Sequence, residues 1–319
     1  MTITLVPQGA PVMLGTAECH ASTLVSVSDG TYLCAWFGGT KEGNNDTAIW
    51  YCDRQNGVWQ IPKILAKVSS EPHWNPVLFA TANQIYLYFK VGASPKVWRT
   101  YWMQTPENSR QWSQPAELSP GDIGGRGPVK NKPILLSNGD WLAPASIETK
   151  KAWSCFVDRS SNQGSNWYRS DLIAPLKKNF RGKGIIQPTL WQSQAKKVHL
   201  LCRSTSNKIY RADSEDNGQT WSPAYPTSLP NNNSGIDLVQ LDNGLLILAY
   251  NPIAKNWGDR TPLILAASLD NGSTWDEVLV LEDRVGEYSY PAIIATDNGL
   301  AVTYTWQREH ISFREFSVS

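Results

Sequence analysis

The chain has 319 residues, a net charge of +1, 18% charged residues and 15 Trp. So even a charge balance excludes a nucleic-acid binder with a broad basic footprint, while leaving room for a small cationic pocket. No apolar run approaches the roughly 18 residues of a membrane span, and the five Cys are odd in number and never spaced as CxxC, as suits reduced, buried thiols in a cytoplasmic protein.

Residues 1–14 lack the basic start, continuous apolar core and cleavage site of a signal peptide. Residues 2–7 read as a short strand. Two kinds of segment then alternate along the chain. The first is a hairpin-type turn leading into an apolar, β-prone run, at residues 28–37, 82–90, 137–146, 195–204, 242–251 and 297–306. Asn-Gly and Asp-Gly pairs open several of these runs, as tight hairpins require. The second is a turn ending in Trp. It follows S-x-D-x-G-x-x-W in full at Ser214, Asp216, Gly218, Trp221 and at Ser268, Asp270, Gly272, Trp275, and with Asn for Asp at Ser160, Asn162, Gly164, Trp167. Eroded copies keep Trp59 and Trp112. Successive Trp positions differ by 53, 55, 54 and 54 residues.

No segment carries a sustained helical period. A repeat of this size is that of a propeller blade, and 319 residues hold six. The expected fold is all-β, a single six-bladed β-propeller over residues 1–319, with the N-terminal strand completing the last blade. The S-x-D-x-G-x-x-W turns are read as structural: Asp caps local amides, Gly takes a positive φ and Trp packs between strands.

Equivalent strand ends should gather at one end of a propeller axis. The six runs end near Gly38, Lys90, Ser146, Arg203, Asn251 and Arg308. Three of these are cationic, which suits an acidic small molecule or the acidic end of a glycan. No P-loop, GxGxxG motif, HExxH or Cys cluster is present, so no cofactor or metal is expected.

The turns resemble Asp-boxes, or BNR repeats, and with six blades they make the chain similar to the sialidase (neuraminidase) superfamily. The order of other segments strengthens the resemblance. Cys19-His20-Ala21-Ser22 resembles the segment bearing the first carboxylate-binding Arg, and Glu42–Trp50 the loop bearing the acid/base Asp, here Asp46. Asn75-Pro76 resembles a second-blade motif. Arg203 and Arg260 fall where the second and third Arg stand, and Glu287-Tyr288-Ser289 resembles the segment of the nucleophilic Tyr. Two positions depart from the family: His20 stands for the first Arg, and Gln187 for the acid that pairs with the Tyr.

The resemblance implies an exo-glycosidase that cleaves a terminal acidic sugar, sialic or uronic, from an oligosaccharide or glycan. Tyr288 would be nucleophile, Asp46 acid/base, and Gln187, His20 and His73 polar partners near the reacting groups. Arg203, Arg260, Lys130, Asn75, Lys90, Asn251 and Arg308 would bind substrate. Two alternatives stay open: a polysaccharide lyase acting by β-elimination on a uronate, which needs a base but no glycosyl nucleophile, and a glycan-binding propeller without turnover. Each assigned residue also has a plain structural reading. Asp46 can cap its turn, Tyr288 can be a core aromatic, Lys130 a loop lysine, and the two His can simply satisfy hydrogen bonds.

Overall fold

The structure, a computed structural model, describes residues 3–5, 16–27 and 30–318. The start of the first expected run, residues 28–29, and most of residues 1–14 lie outside these. The chain is nearly all β, and its six sheets are the blades of a β-propeller. Among the described residues no helix is long and apolar enough to cross a membrane.

The chain divides into two compact units, residues 1–123 with 287–319, and residues 124–286. The first unit holds three antiparallel sheets. One joins the two ends of the sequence: Ile3–Leu5 pairs with His310–Val318, which continues through Gly299–Trp306 to Tyr288–Thr296. This is the expected completion of the last blade by the N-terminal strand. The other two sheets begin at Glu18–Ser26 and His73–Ala80. The second unit holds three more sheets, around Trp141–Glu148, Lys197–Ser204 and Leu246–Tyr250.

Each apolar run in the sequence is the second strand of its blade, as in Tyr32–Gly39 and Lys197–Ser204. These strands read as near-continuous apolar stretches because both faces are covered. In the second unit, Leu142, Val157, Ile185, Leu200 and Cys202 form one core cluster, while Leu201, Ile236, Leu246, Leu248 and Ile264 form another. Each fully buried aliphatic side chain contributes about 1.5–3 kcal/mol. Cys19, Cys34, Cys52, Cys155 and Cys202 are all buried free thiols.

The Trp turns are built as their residue types dictate. The Asp216 carboxylate accepts from the amides of Gln219 and Thr220 at 3.0 and 2.8 Å and from the Ser214 and Thr220 hydroxyls at 2.8 and 2.6 Å. Gly218, at φ +76°, donates its amide to the Ser214 hydroxyl, and the Trp221 indole N–H closes on the Gly218 carbonyl. Asp270 repeats the pattern. All four oxygen-directed bonds are local, so these carboxylates serve the turn.

A second repeated device positions the site residues. In four first strands the ladder shifts register, and one residue at the shift takes a positive φ: Ala21 at +54°, Asn75 at +33°, Gln187 at +54° and Tyr290 at +53°. A bulge re-aims the side chain it carries. Pro follows three of the four, as Pro76, Pro188 and Pro291, because a bulge needs no ladder donor at that position.

Candidate functional site

In the second unit the bulge at Gln187 brings its side chain onto Arg203. Arg203 is only 2% exposed. Its Nη1 donates to Gln187 Oε1 at 3.0 Å and its Nε to Asn233 Oδ1 at 2.9 Å. Asn233, at φ +62°, is fixed in turn: its amide N–H donates to Asn231 Oδ1, and its Nδ2 donates to Asn256 Oδ1 at 3.1 Å. The next residue, Trp257, has a positive φ of +56° and is 62% exposed, with its ring centroid 5.9 Å from the guanidinium carbon. A buried guanidinium held by neutral amides beside an exposed indole can take a carboxylate on its fork and an apolar sugar face on the ring.

Lys130 joins the same network. Its Nζ donates to Asn131 Oδ1 at 2.8 Å and to the Ile236 carbonyl at 3.0 Å, and Asn131 Nδ2 donates to the Gln187 and Pro188 carbonyls. Burial pulls the Lys130 pKa down to about 7; Asp237 opposes this, and Lys132 and Arg203 add to it. Arg260 is half-buried on the connection that follows Asn251. Asn251 is buried and donates to the Pro262 carbonyl at 2.8 Å.

In the first unit His20 is buried, with Nδ1 3.0 Å from Thr305 Oγ1, which also accepts the Ala21 amide at 3.2 Å. The His20 ring lies 4.2 Å from that of Tyr290, which is half-buried. Tyr288, by contrast, is 1% exposed and packs on Trp306 at 6.0 Å. The sequence reading passed over Tyr290. A usable signal was present: Asn75-Pro76, Gln187-Pro188 and Tyr290-Pro291 are separated by 112 and 103 residues, close to two repeats each.

Arg308 sits between two carboxylates. Nε donates to both Glu287 oxygens at 3.1 Å and Nη1 to Glu42 Oε2 at 2.5 Å. Burial acts against its charge, but Glu42 and Glu287 outweigh this and hold its pKa above the ordinary arginine value. A substrate carboxylate would have to displace one of them. Asp46 is exposed, and its Oδ2 accepts the Thr40 amide at 2.8 Å, closing its own loop.

His73 and Lys90 are committed to packing. His73 Nε2 accepts the Val68 amide and Nδ1 bonds the Glu71 carbonyl, both at 2.9 Å. Burial pushes its pKa down to about 4, with the Glu71 carbonyl opposing and Lys67 adding. Lys90 is fully buried and donates to Thr100 Oγ1 at 2.7 Å. Asn75 is buried at its bulge. Among the described residues no group of three or more His, Cys, Asp or Glu is placed to hold a metal ion.

Comparison with known proteins fits this architecture. The model of the BNR repeat-like domain matches residues 30–302, and the chain belongs to that family. A protein of unknown function from Dyadobacter fermentans shares the fold over 99% of both chains, with a TM-score of 0.81 and 13% identity. The Hadza microbial sialidase Hz136 matches 95% of this chain and 66% of its own, with a TM-score of 0.77 and 13% identity. Trypanosoma rangeli sialidase, solved with the inhibitor DANA, matches 99% of this chain and 59% of its own, with a TM-score of 0.75 and 13% identity. The chain thus spans about two-thirds or less of these sialidases' length. No curated protein sequence matches it.

Proposed function

We propose that this sialidase-like chain is an exo-glycosidase that releases a terminal acidic sugar, sialic or uronic, from a glycan. The observation that carries the reading is Arg203: a buried guanidinium oriented through two edges by uncharged amides, beside the exposed indole of Trp257. The planar guanidinium fork can take a ligand carboxylate in bidentate contact. Arg260 adds a second positive charge on the connection that carries Trp257.

Tyr290 replaces Tyr288 as the proposed nucleophile, because Tyr288 is enclosed and Tyr290 is not. A phenol attacks poorly until a base takes its proton. The His20 imidazole beside Tyr290 supplies a group suited to proton transfer near neutral pH. In this reading the Tyr290 oxygen bonds the anomeric carbon as the glycosidic bond breaks. Asp46 protonates the leaving oxygen, and water then releases the sugar.

The His20–Tyr290 pair also favours a second reading. A His beside a Tyr can remove the proton next to a uronate carboxyl and cleave by β-elimination.

The test is product analysis on sialosides and uronate-containing glycans. Release of free sugar without ultraviolet absorbance, lost in Arg203→Ala and in Tyr290→Phe, is the expected result. Growth of absorbance from a new C=C bond would replace the hydrolase by the lyase. Saturable binding with no product would leave a glycan-binding propeller.

A further inference from the structure

The second unit carries another group of side chains, none of them used above. His199 lies on Lys197–Ser204, opposite Trp191 on one neighbouring strand and Asp213 on the other. Directly opposed residues share a face of the sheet. The ladder shifts register between Gln192 and Gln194, leaving Ser193 as the extra residue of a bulge. Ser193 Oγ is 2.7 Å from His199 Nε2, and His199 Nδ1 is 2.5 Å from Asp213 Oδ1.

Asp213 Oδ1 also accepts Arg211 Nε at 2.8 Å, and Oδ2 accepts the Tyr225 hydroxyl at 2.6 Å. Burial raises the Asp213 pKa, but the bonds from His199, Tyr225 and Arg211 outweigh it and hold the carboxyl well below its usual range. An ionised carboxylate that close to Nδ1 favours the tautomer with the proton on Nδ1. Nε2 is then the acceptor, and the Ser193 hydroxyl is aimed at its lone pair. Trp191 stacks on the ring at 4.9 Å, and Arg211 Nη2 lies 3.0 Å from Nδ1.

Ser193, His199, Arg211 and Asp213 line a cavity of about 540 Å³. Asn271 also faces it. The Asn271 Oδ1 accepts the Trp191 indole N–H at 2.7 Å, which turns Nδ2 towards His199 Nε2 at 3.3 Å. An amide donor fixed this way at the same imidazole nitrogen as the serine offers a partner for a developing oxyanion.

We propose that this cavity is a second catalytic site, an esterase that removes short O-acyl groups from polar, sugar-like alcohols. The geometry follows the Ser–His–Asp relay, which is recognised by roles and distances, not by sequence order. Ser193 Oγ adds to the ester carbonyl carbon as its proton passes to His199 Nε2, and the carbonyl electron pair moves to oxygen, facing Asn271 Nδ2. The adduct collapses, the bond to the alcohol oxygen breaks, and that oxygen takes the proton from Nε2. Water then adds to the acyl-serine, giving a proton to Nε2. The Ser193 ester bond breaks, the proton returns to Oγ, and the carboxylic acid leaves. Asp213 stays ionised throughout. The substrate class follows from the lining. Leu245 and Leu269 are its apolar side chains, enough for a short acyl group, whereas Gln194, Gln240 and Asn243 offer amides to hydroxyls.

The test is to treat the intact chain with a fluorophosphonate probe, map the adduct by mass spectrometry, and follow p-nitrophenyl acetate hydrolysis. The expected result is an adduct on Ser193, with Ser193→Ala losing the label and at least about a hundredfold in hydrolysis rate. Absence of an adduct on Ser193 in the unaltered chain overturns the proposal, whatever the variant does. Hydrolysis within about twofold of the original in a folded Ser193→Ala chain does the same.

Discussion

Two histidines of one unit are placed differently. His20 faces Tyr290 with one ring nitrogen tied to Thr305, whereas His73 spends both nitrogens on its own loop. His73 carries a stability consequence. Its pKa falls from 6.5 to about 4 on folding, so the native state refuses a proton that the unfolded chain accepts between those values. Stability therefore declines as pH drops from 6.5 to about 4 and loses nothing further through this group below that. The loss amounts to roughly 3 kcal/mol at most. Denaturant unfolding at pH 7 and pH 4.5 on the chain and on His73→Gln checks this (both pH values lie roughly at the ends of that window). The variant should show a shallower decline, and equal declines would contradict the assignment.

At the scale of elements, the repeated turn and the repeated bulge do different work. The turn fixes the outer connection of a blade through a glycine with positive φ and a carboxylate that bonds only locally. A Cβ at Gly218 would come within 2.7 Å of Leu142 Cδ1, whereas one at Gly244, at φ +84°, would meet nothing within 4 Å. Gly244→Ala should cost about 1 kcal/mol from backbone strain alone. Gly218→Ala should cost about 2–3 kcal/mol, because the core must also shift. Thermal unfolding of both variants checks the order, and an equal or inverted order would show that the turn is not packed as described.

The bulge also explains what the sequence concealed. In a regular strand, Tyr288 and Tyr290 share a face, so a strand pattern cannot choose between them. The register shift between Ser289 and Ala292 separates them, burying Tyr288 and leaving Tyr290 half-exposed. The proline after the positive-φ residue was the legible trace of that shift.

Over the whole molecule, the blade count, the second strands and the joining of the two ends of the chain were legible, because each follows from short-range periodicity and turn chemistry repeated six times. The cation at Arg203 was legible as the end of a repeated strand, but the sequence set Gln187 beside Tyr288, whereas the structure places its side chain on Arg203. Arg308 was read correctly as lying at a strand end, but its charge is met by Glu42 and Glu287, and pairings across that distance in sequence leave no local pattern. The Ser193–His199–Asp213 group was invisible for the same reason: strand pairing and one extra residue bring it together.

The measurement that tests the central claim most directly is a calorimetric titration of sialic and glucuronic acids, each beside its methyl ester, into the intact chain and into Arg203→Ala. A charge-assisted bidentate contact predicts that one acid binds roughly ten- to a hundredfold tighter than its ester, and that Arg203→Ala erases the preference. Equal binding of acid and ester, or a preference that survives the loss of Arg203, would contradict a carboxylate site at this guanidinium.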